Sequence, residues 1–141
     1  MTPQNQALRP SRQLRIAVLA TVLACGLFSQ NTGVQRTVVN RADVSVPGRE
    51  AVIVRAELAP RASTGWHTHP GEEISQVTEG EGELLVEGKA PLPLKTGDGF
   101  VVPNGAKHEA HNTGTVPFKL AVVYLTEKGK PMATPAAAPG K

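Results

Sequence analysis

Apolar and polar residues alternate along several short segments of the chain from residue 51 onward. In the segment AVIVRAEL, residues 51–58, every even position is apolar, whereas Arg55 and Glu57 occupy odd positions. A period of two is typical of a β-strand with one buried face, because successive side chains point to opposite sides of a strand. No segment after residue 30 follows the 3.6-residue period of a helix. The pattern therefore predicts an all-β fold.

Further segments of this kind follow closely and are separated by Gly and Pro. They are ISQVTEG, GELLVEG, APLPLKTGDG, FVVP, AKHEAHN and FKLAVVYLTE. The prolines of APLPLK predict an edge strand, since a proline cannot donate a backbone hydrogen bond to a neighbouring strand. Roughly eight short strands at this spacing predict a barrel or a sandwich.

The two ends of the chain differ from this central region. Residues 30–50 are polar and irregular apart from the β-branched run RTVVN, and we assign them to an N-terminal extension. From Lys128 the composition changes to KGKPMATPAAAPGK, which lacks the residues needed for a core. The pattern predicts one domain, residues 51–126, followed by a disordered tail at 127–141.

The first 29 residues are predicted to be a signal peptide or an N-terminal anchor. Three arginines precede the apolar run IAVLATVLACGLF, residues 16–28. A helix of this length spans about 20 Å, short of the bilayer core of about 30 Å. This favours a cleaved signal peptide and export to the periplasm or the medium. An uncleaved anchor, a buried helix and lipidation of Cys25, in a stretch that resembles a bacterial lipobox, are the alternatives.

The charge of the chain gives no indication of a nucleic-acid partner. The formal net charge is +3, with 15 basic and 12 acidic residues. The three basic residues of the first 29 positions have no acidic counterpart there, so the rest of the chain is balanced. It has neither a basic stripe nor a helix-turn-helix pattern, which argues against DNA or RNA binding. Contact with a membrane is expected only through the N-terminal segment.

Two of the four histidines alternate in the stretch GWHTHPGEEISQVTEG, residues 65–80. On a strand, His67 and His69 project to the same side, roughly 7 Å apart along the chain. Glu73 follows the short break at Pro70 and Gly71, where the chain can turn so that the carboxylate approaches the same point. Two imidazoles and one carboxylate that converge in a barrel make a plausible metal site.

A second stretch, GDGFVVPNGAKHEAHN, residues 97–112, supplies a further histidine, His108. Together the two stretches resemble the two motifs of the cupin superfamily, and more narrowly the small single-domain bacterial cupins. The matching positions are His67, His69, Glu73 and Gly80 in the first motif, and Gly97, Pro103, Gly105, His108 and Asn112 in the second. The first motif departs from the family at Arg61, where the family has glycine.

The resemblance covers residues 51–126 and implies a cupin-type jelly-roll β-barrel. It also implies a metal in the mouth of the barrel, held by His67, His69, Glu73 and His108. Three imidazoles and one carboxylate suit Mn, Fe, Co, Ni, Cu or Zn without selecting one of them. In octahedral geometry, two positions stay open for water, dioxygen or a bidentate substrate.

The surroundings of this site are predicted less sharply. Strand parity puts Ser75, Val77, Phe100 and Val102 near it. Parity directs Trp66, Glu72 and His111 away from it, and allows Asn112 to bond to the backbone of a nearby turn. No arginine or lysine is assigned to the cavity, with Lys107 left open, which favours a neutral substrate over one such as oxalate.

Two classes of function remain open at this point. Similar cupins include dioxygenases, oxalate-degrading enzymes and isomerases, and the resemblance implies that Glu73 could serve as a catalytic base. The chain is therefore expected to be an exported, metal-dependent oxygenase acting on a small organic substrate, or else a binding module for a metal or small molecule without its own chemistry. Exposed strand edges favour a homodimer.

Overall fold

The computed structural model describes residues 33–140, which form ten β-strands and, within that range, no helix. The predicted signal segment, residues 1–29, with Cys25, lies outside the described residues. No helix in the described part of the chain has the length and apolar character needed to cross a membrane. The strands are β1 Val34–Asp43, β2 Arg49–Leu58, β3 His67–Thr68, β4 Gly71–Glu79, β5 Glu81–Val86, β6 Leu92–Lys95, β7 Gly99–Val102, β8 His108–His111, β9 Phe118–Glu127 and β10 Thr134–Pro135.

The first sheet contains the long strands, in the order β1-β2-β9-β4-β7. Its central strand β9 pairs along ten residues with β2, and Val54 lies opposite Val122. The alternation read in AVIVRAEL is seen here, because the even positions of β2 are buried from Val52 to Leu58. The other face of β2 is more open to solvent, which confirms the prediction of a strand with one buried face.

The second sheet contains the short strands, in the order β10-β3-β8-β5-β6. Strand β6, which includes Pro93, is at its edge, as the prolines of that segment predicted. Strand β3 pairs with β8 at a single residue pair, His67 with His108. All pairings in both sheets are antiparallel, so the fold is all-β and consistent with a jelly roll.

One hydrophobic core joins the two sheets. Valines of β2, β4 and β9 pack in the same cluster as Leu84 of β5 and Leu94 of β6. Phe118 of β9 is fully buried, and its ring lies so close to Gly82 of β5 that a Cβ there would come within 2.7 Å of it. Burial of each large aliphatic or aromatic side chain contributes about 1.5–3 kcal/mol to folding, so this cluster holds the sheets together.

The segment preceding the predicted domain is more regular than its sequence indicated. Val34–Asp43 forms a full strand that pairs with β2, with a bulge between Val38 and Asn40, whereas an irregular stretch was expected. Nearly all of β1 is exposed. The hydrophobic pattern gave no indication of it, because the strand is held mainly by backbone hydrogen bonds and not by a buried face.

The C-terminal segment also differs from the expectation of a disordered tail. Thr134–Pro135 pairs with β3, and the amide of Ala136 donates to the carbonyl oxygen of Trp66 at 2.9 Å. Met132 packs against the core cluster. Composition predicted disorder because the segment has no core of its own, but it uses the backbone edge of β3 instead.

Candidate metal centre

Four side chains from separate parts of the chain meet at the mouth of the barrel. His67, His69, Glu73 and His108 each offer one donor atom, and these atoms all lie within 4.8 Å of one another. All four residues are buried. The structure therefore brings together the complete set that the two motifs predicted, in an arrangement that could hold a metal ion.

Residues from both sheets form this cluster. His67 and His108 face each other across β3 and β8 of the second sheet, and His69 follows directly after β3. Glu73 comes from β4 of the first sheet. The turn after Pro103 fixes the approach of β8, since the amide of Gly105 donates to the carbonyl oxygen of His69 at 3.1 Å. Gly105 has φ 71°, a conformation that favours glycine.

Each histidine of the cluster is oriented by a backbone carbonyl. The Nδ1 atoms of His67, His69 and His108 lie 2.7, 2.6 and 2.9 Å from the carbonyl oxygens of Gly65, Met132 and Ala106. A carbonyl oxygen can only accept, so each Nδ1 donates its hydrogen. All three rings consequently turn Nε2 towards the common centre, as metal-ligating histidines do when a second partner fixes the other nitrogen.

The carboxylate of Glu73 is held on both of its oxygens. Oε2 lies 2.9 Å from Nε2 of His69 and 3.3 Å from Nε2 of His108, and Oε1 accepts from the hydroxyl of Ser75 at 2.7 Å. Burial by itself raises the pKa of Glu73, but the hydrogen bonds from His108, His69 and Ser75 outweigh it and bring the pKa below its usual range. Glu73 is therefore an anion in the folded protein.

The protonation state of His67 favours coordination. Burial is the main cause that lowers the pKa of its ring, from 6.5 to about 4, and the nearby imidazoles of His108 and His69 add to the effect. The ring is thus neutral near pH 7. With Nδ1 protonated, its Nε2 carries a free lone pair, which is the form that binds metal ions.

The four donors of the cluster are chemically suited to a divalent cation. The Nε2 atoms of His69 and His108 face an anionic carboxylate oxygen at hydrogen-bond distance, an approach that requires a proton on nitrogen or a cation shared by the group. A divalent cation would satisfy the carboxylate and all three imidazoles together. The nitrogen-rich set suits transition metals better than Ca²⁺ or Mg²⁺, which prefer oxygen ligands.

A cavity of about 300 Å³ opens beside the cluster and is accessible from solvent. The residues of the described range that form its walls are mostly apolar and include one charged side chain. The lining includes Arg36, Thr64, Trp66, His67, His69, Tyr124, Met132 and Pro135. A narrower space behind it reaches Glu73 and His108 and is lined by Arg36 and Tyr124 as well.

Two expectations about this cavity were wrong. Trp66 was directed away from the site by strand parity, but it lines the cavity with His67. Strand β3 begins only at His67, so parity does not apply to the loop residue before it. The cavity was also expected to have no arginine, yet Arg36 of β1 lines it. Lys107, the residue left open, forms a 2.6 Å ion pair with Glu87 instead.

Three other residues lie where parity placed them. The side chain of Glu72 is 43% exposed and forms a 3.7 Å ion pair with Arg49. Nε2 of His111 lies 2.9 Å from Oε1 of Glu109, and the residue is not part of the cluster. Asn112 is buried, and its Nδ2 donates to the carbonyl oxygens of Leu58 and Val116. Of the four residues that parity put near the site, Ser75 contacts Glu73. Val77, Phe100 and Val102 instead belong to the core and are not among the residues that line the cavity.

Two contributors to the site were not identified from the sequence. Tyr124 of β9 packs its ring 4.6 Å from that of His69, measured between centroids. Burial, and then the charge of Glu73, raises the pKa of Tyr124, so its hydroxyl stays protonated. Tyr124 is the only tyrosine of the chain and has the parity of the buried positions of β9, which could have indicated it. The carbonyl of Met132, which orients His69, had no such indication.

Comparisons with known proteins agree with this geometry. The family described as the cupin domain matches residues 54–124, half of the 141-residue chain. A structure from Klebsiella pneumoniae, an uncharacterized conserved protein with a double-stranded β-helix domain, has a TM-score of 0.56 and is 28% identical. The match covers 70% of this chain and 88% of that one.

Two curated enzymes are similar over shorter stretches. An acireductone dioxygenase from Rhodopseudomonas palustris is 33% identical over 90 residues, which cover 57% of this chain and 53% of that protein. The dimethylsulfoniopropionate lyase DddQ from Ruegeria pomeroyi is 41% identical over 59 residues, or 42% of this chain and 29% of that protein. The chain thus spans about half or less of the length of these relatives.

Proposed function

Since the chain belongs to the cupin superfamily, we propose that it binds a divalent transition metal through His67, His69, Glu73 and His108 and is a metal-dependent oxygenase. The observation that carries the proposal is the convergence of four buried donors beside an open cavity. The acireductone dioxygenase relative supports the choice of an oxygenase among the activities that a cupin site can host.

The bound metal would supply Lewis-acid and redox chemistry at the base of the cavity. The residues of the chain would then bind and orient a small organic substrate. Glu73 is the proposed catalytic base, because its Oε2 faces the centre while Ser75 holds its Oε1 at 2.7 Å. Tyr124 keeps its proton and can donate a hydrogen bond to a substrate oxygen in the cavity.

The metal ligands can be tested with a matched pair of variants on one strand. Glu73→Gln keeps the shape of the side chain but removes the anionic donor, and we expect the affinity for Zn²⁺, Mn²⁺ or Fe²⁺ to fall by at least about 100-fold. Glu72→Gln removes the neighbouring charge, which is directed away from the cluster, and should leave the affinity unchanged. Metal content and calorimetric titration of the purified protein measure both.

The oxygenase activity needs a separate measurement. Metal-loaded protein is screened for oxygen uptake with phenolic compounds and organic acids. Uptake that is present in the wild type and in Glu72→Gln, and absent in Glu73→Gln, supports the enzyme. Tight metal binding without turnover of any compound would support the alternative, a binding module. A Glu73→Gln variant that binds metal as tightly as the wild type contradicts the proposed ligand set.

We also propose that the protein is exported and forms a homodimer. Export rests on the arginines and the apolar run of residues 16–28. The dimer is supported by an exposed apolar row on the outer face of the first sheet, where Ile74 of β4 lies opposite Val101 of β7. Ile53 of β2 continues this row. Cell fractionation tests the export, and analytical ultracentrifugation measures the oligomeric state.

A further inference from the structure

Among the described residues, Arg36 is the one charged side chain, other than the cluster itself, that lines the cavity beside the candidate metal centre. It lies on β1 opposite Ala56 of β2, and residues directly opposite each other in a sheet project to the same face. Ala56 is buried in the core, so Arg36 projects over the open end of the same core. It remains exposed to solvent and is thus accessible to an incoming ligand.

This position is a feature of the chain itself and not of the family match. The cupin match begins at residue 54, eighteen positions after Arg36. Strand β1 extends the first sheet by a further strand, and in doing so brings a guanidinium to the mouth. The preference for a neutral substrate, which was read from the motif region, therefore does not take the charge of Arg36 into account.

The charge of Arg36 has no acidic partner among residues 33–140. The contacts between basic and acidic side chains in that range use Arg41, Arg49, four lysines and three histidines, but not Arg36. Arg41, on the same strand, forms a 3.0 Å ion pair with Glu50. The guanidinium of Arg36 instead lies near Tyr124, which lines the same cavity, and its charge acts to lower the pKa of that hydroxyl against the larger effects of burial and Glu73. The guanidinium of Arg36 and the hydroxyl of Tyr124 are thus two hydrogen-bond donors available to a ligand in the same cavity.

The remainder of the cavity is mostly apolar. Trp66, Met132 and Pro135 form its wall, and the hydroxyl of Thr64 already accepts from the amide of Ala110 at 2.9 Å. A guanidinium presents paired N–H donors that match the two oxygens of a carboxylate. A cavity with one such donor pair and an apolar wall is complementary to an amphipathic anion and not to a neutral or a polyanionic molecule.

We propose that this cavity binds a small organic monocarboxylate, with its carboxylate at Arg36 and Tyr124 and its apolar part against Trp66 and Met132. The ring of Tyr124 packs 4.6 Å from that of His69, so a ligand anchored there extends over the metal centre. The use of this ligand as a substrate rests on the proposed function. The binding itself does not, and it can be measured without turnover.

The test uses the fluorescence of Trp66, the only tryptophan of the chain. The full chain is titrated with butyrate and with butyramide, which have the same size but differ in charge, both metal-loaded and after chelation. In each form we expect butyrate to bind about tenfold more tightly, the factor typical of one charge-assisted pair at a solvent-accessible site. Arg36→Gln should abolish this difference.

Arg55→Gln is the matched control. Arg55 is an exposed residue of β2 that does not line this cavity, and its variant, which loses the same charge, should keep the preference for butyrate. Equal binding of butyrate and butyramide by the wild type would overturn the proposal. A preference for butyrate that survives in Arg36→Gln would also overturn it, because the metal would then hold the anion. Metal content is measured separately, so failure of the metal site is distinguishable from failure of this proposal.

Discussion

The two sheets of this protein divide its tasks unequally. The first sheet contains three strands of ten residues and one of nine, and it contributes the acid, phenol and guanidinium of the site, Glu73, Tyr124 and Arg36. The second sheet contains strands of two to six residues, and it supplies the imidazoles of His67 and His108. The long paired strands therefore belong to the first sheet, whereas the donors of the metal centre come from both sheets.

This difference indicates which part of the fold a bound metal ion would stabilise. The long ladders of the first sheet are held by many hydrogen bonds and by the valines of the core. Strand β3 has one residue pair with β8 and two with β10. Few backbone hydrogen bonds therefore hold it, and we expect its stability to depend mainly on the cluster. A cation shared by His67, His108 and Glu73 would connect the weaker sheet to the stronger one.

The largest effect is expected in the core of the first sheet. Phe118→Ala removes a fully buried ring that contacts β5 of the other sheet. We expect it to lower the free energy of unfolding by about 3–5 kcal/mol, through lost burial and a residual cavity. Val46→Ala, at a residue that is 58% exposed, should change it by less than about 0.5 kcal/mol. Urea unfolding measures both, and similar losses would contradict the assignment of stability to the core.

An intermediate effect is expected on metal loading. A metal present at 100 times its Kd should raise the free energy of unfolding by about 2.7 kcal/mol. Hydrogen exchange should locate the effect: chelation should accelerate exchange in β3 and β8 and leave the paired centre of β2 and β9 unchanged. Uniform acceleration across both sheets would show that the short strands do not depend on the cluster more than the long ones.

The smallest effect concerns the pH dependence of the metal-free protein. The pKa of His67 is lowered from 6.5 to about 4 in the fold, so between these values the unfolded chain binds a proton that the folded protein does not. The stabilising contribution of the neutral ring is therefore complete above pH 6.5 and is lost as the pH falls towards 4. Urea unfolding between pH 7 and 5 should show a shallower decline for His67→Gln than for the wild type. An unchanged decline would contradict this pKa.

Much of this fold could be predicted because its signals are local. The buried face of β2 follows from a two-residue period, and Pro93 marks an edge strand without reference to other strands. The four residues of the cluster could be named because their spacing within two short motifs matches a known pattern. Strand β1 was indicated only by the β-branched run RTVVN, and Thr134–Pro135 had no indication in the sequence. Both are held by backbone pairing, which leaves no periodic pattern in the side chains.

The sequence by itself determined that the fold is all-β and that four specific residues could meet around a metal, because strand periodicity and motif spacing act over a few neighbouring residues. Only the tertiary structure decided what surrounds that centre. Arg36, Trp66 and the carbonyl of Met132 reach it from a strand, a loop and the C-terminal segment. Their approach depends on how distant backbone edges pair, and hydrogen bonds between backbone groups are available to almost every residue type.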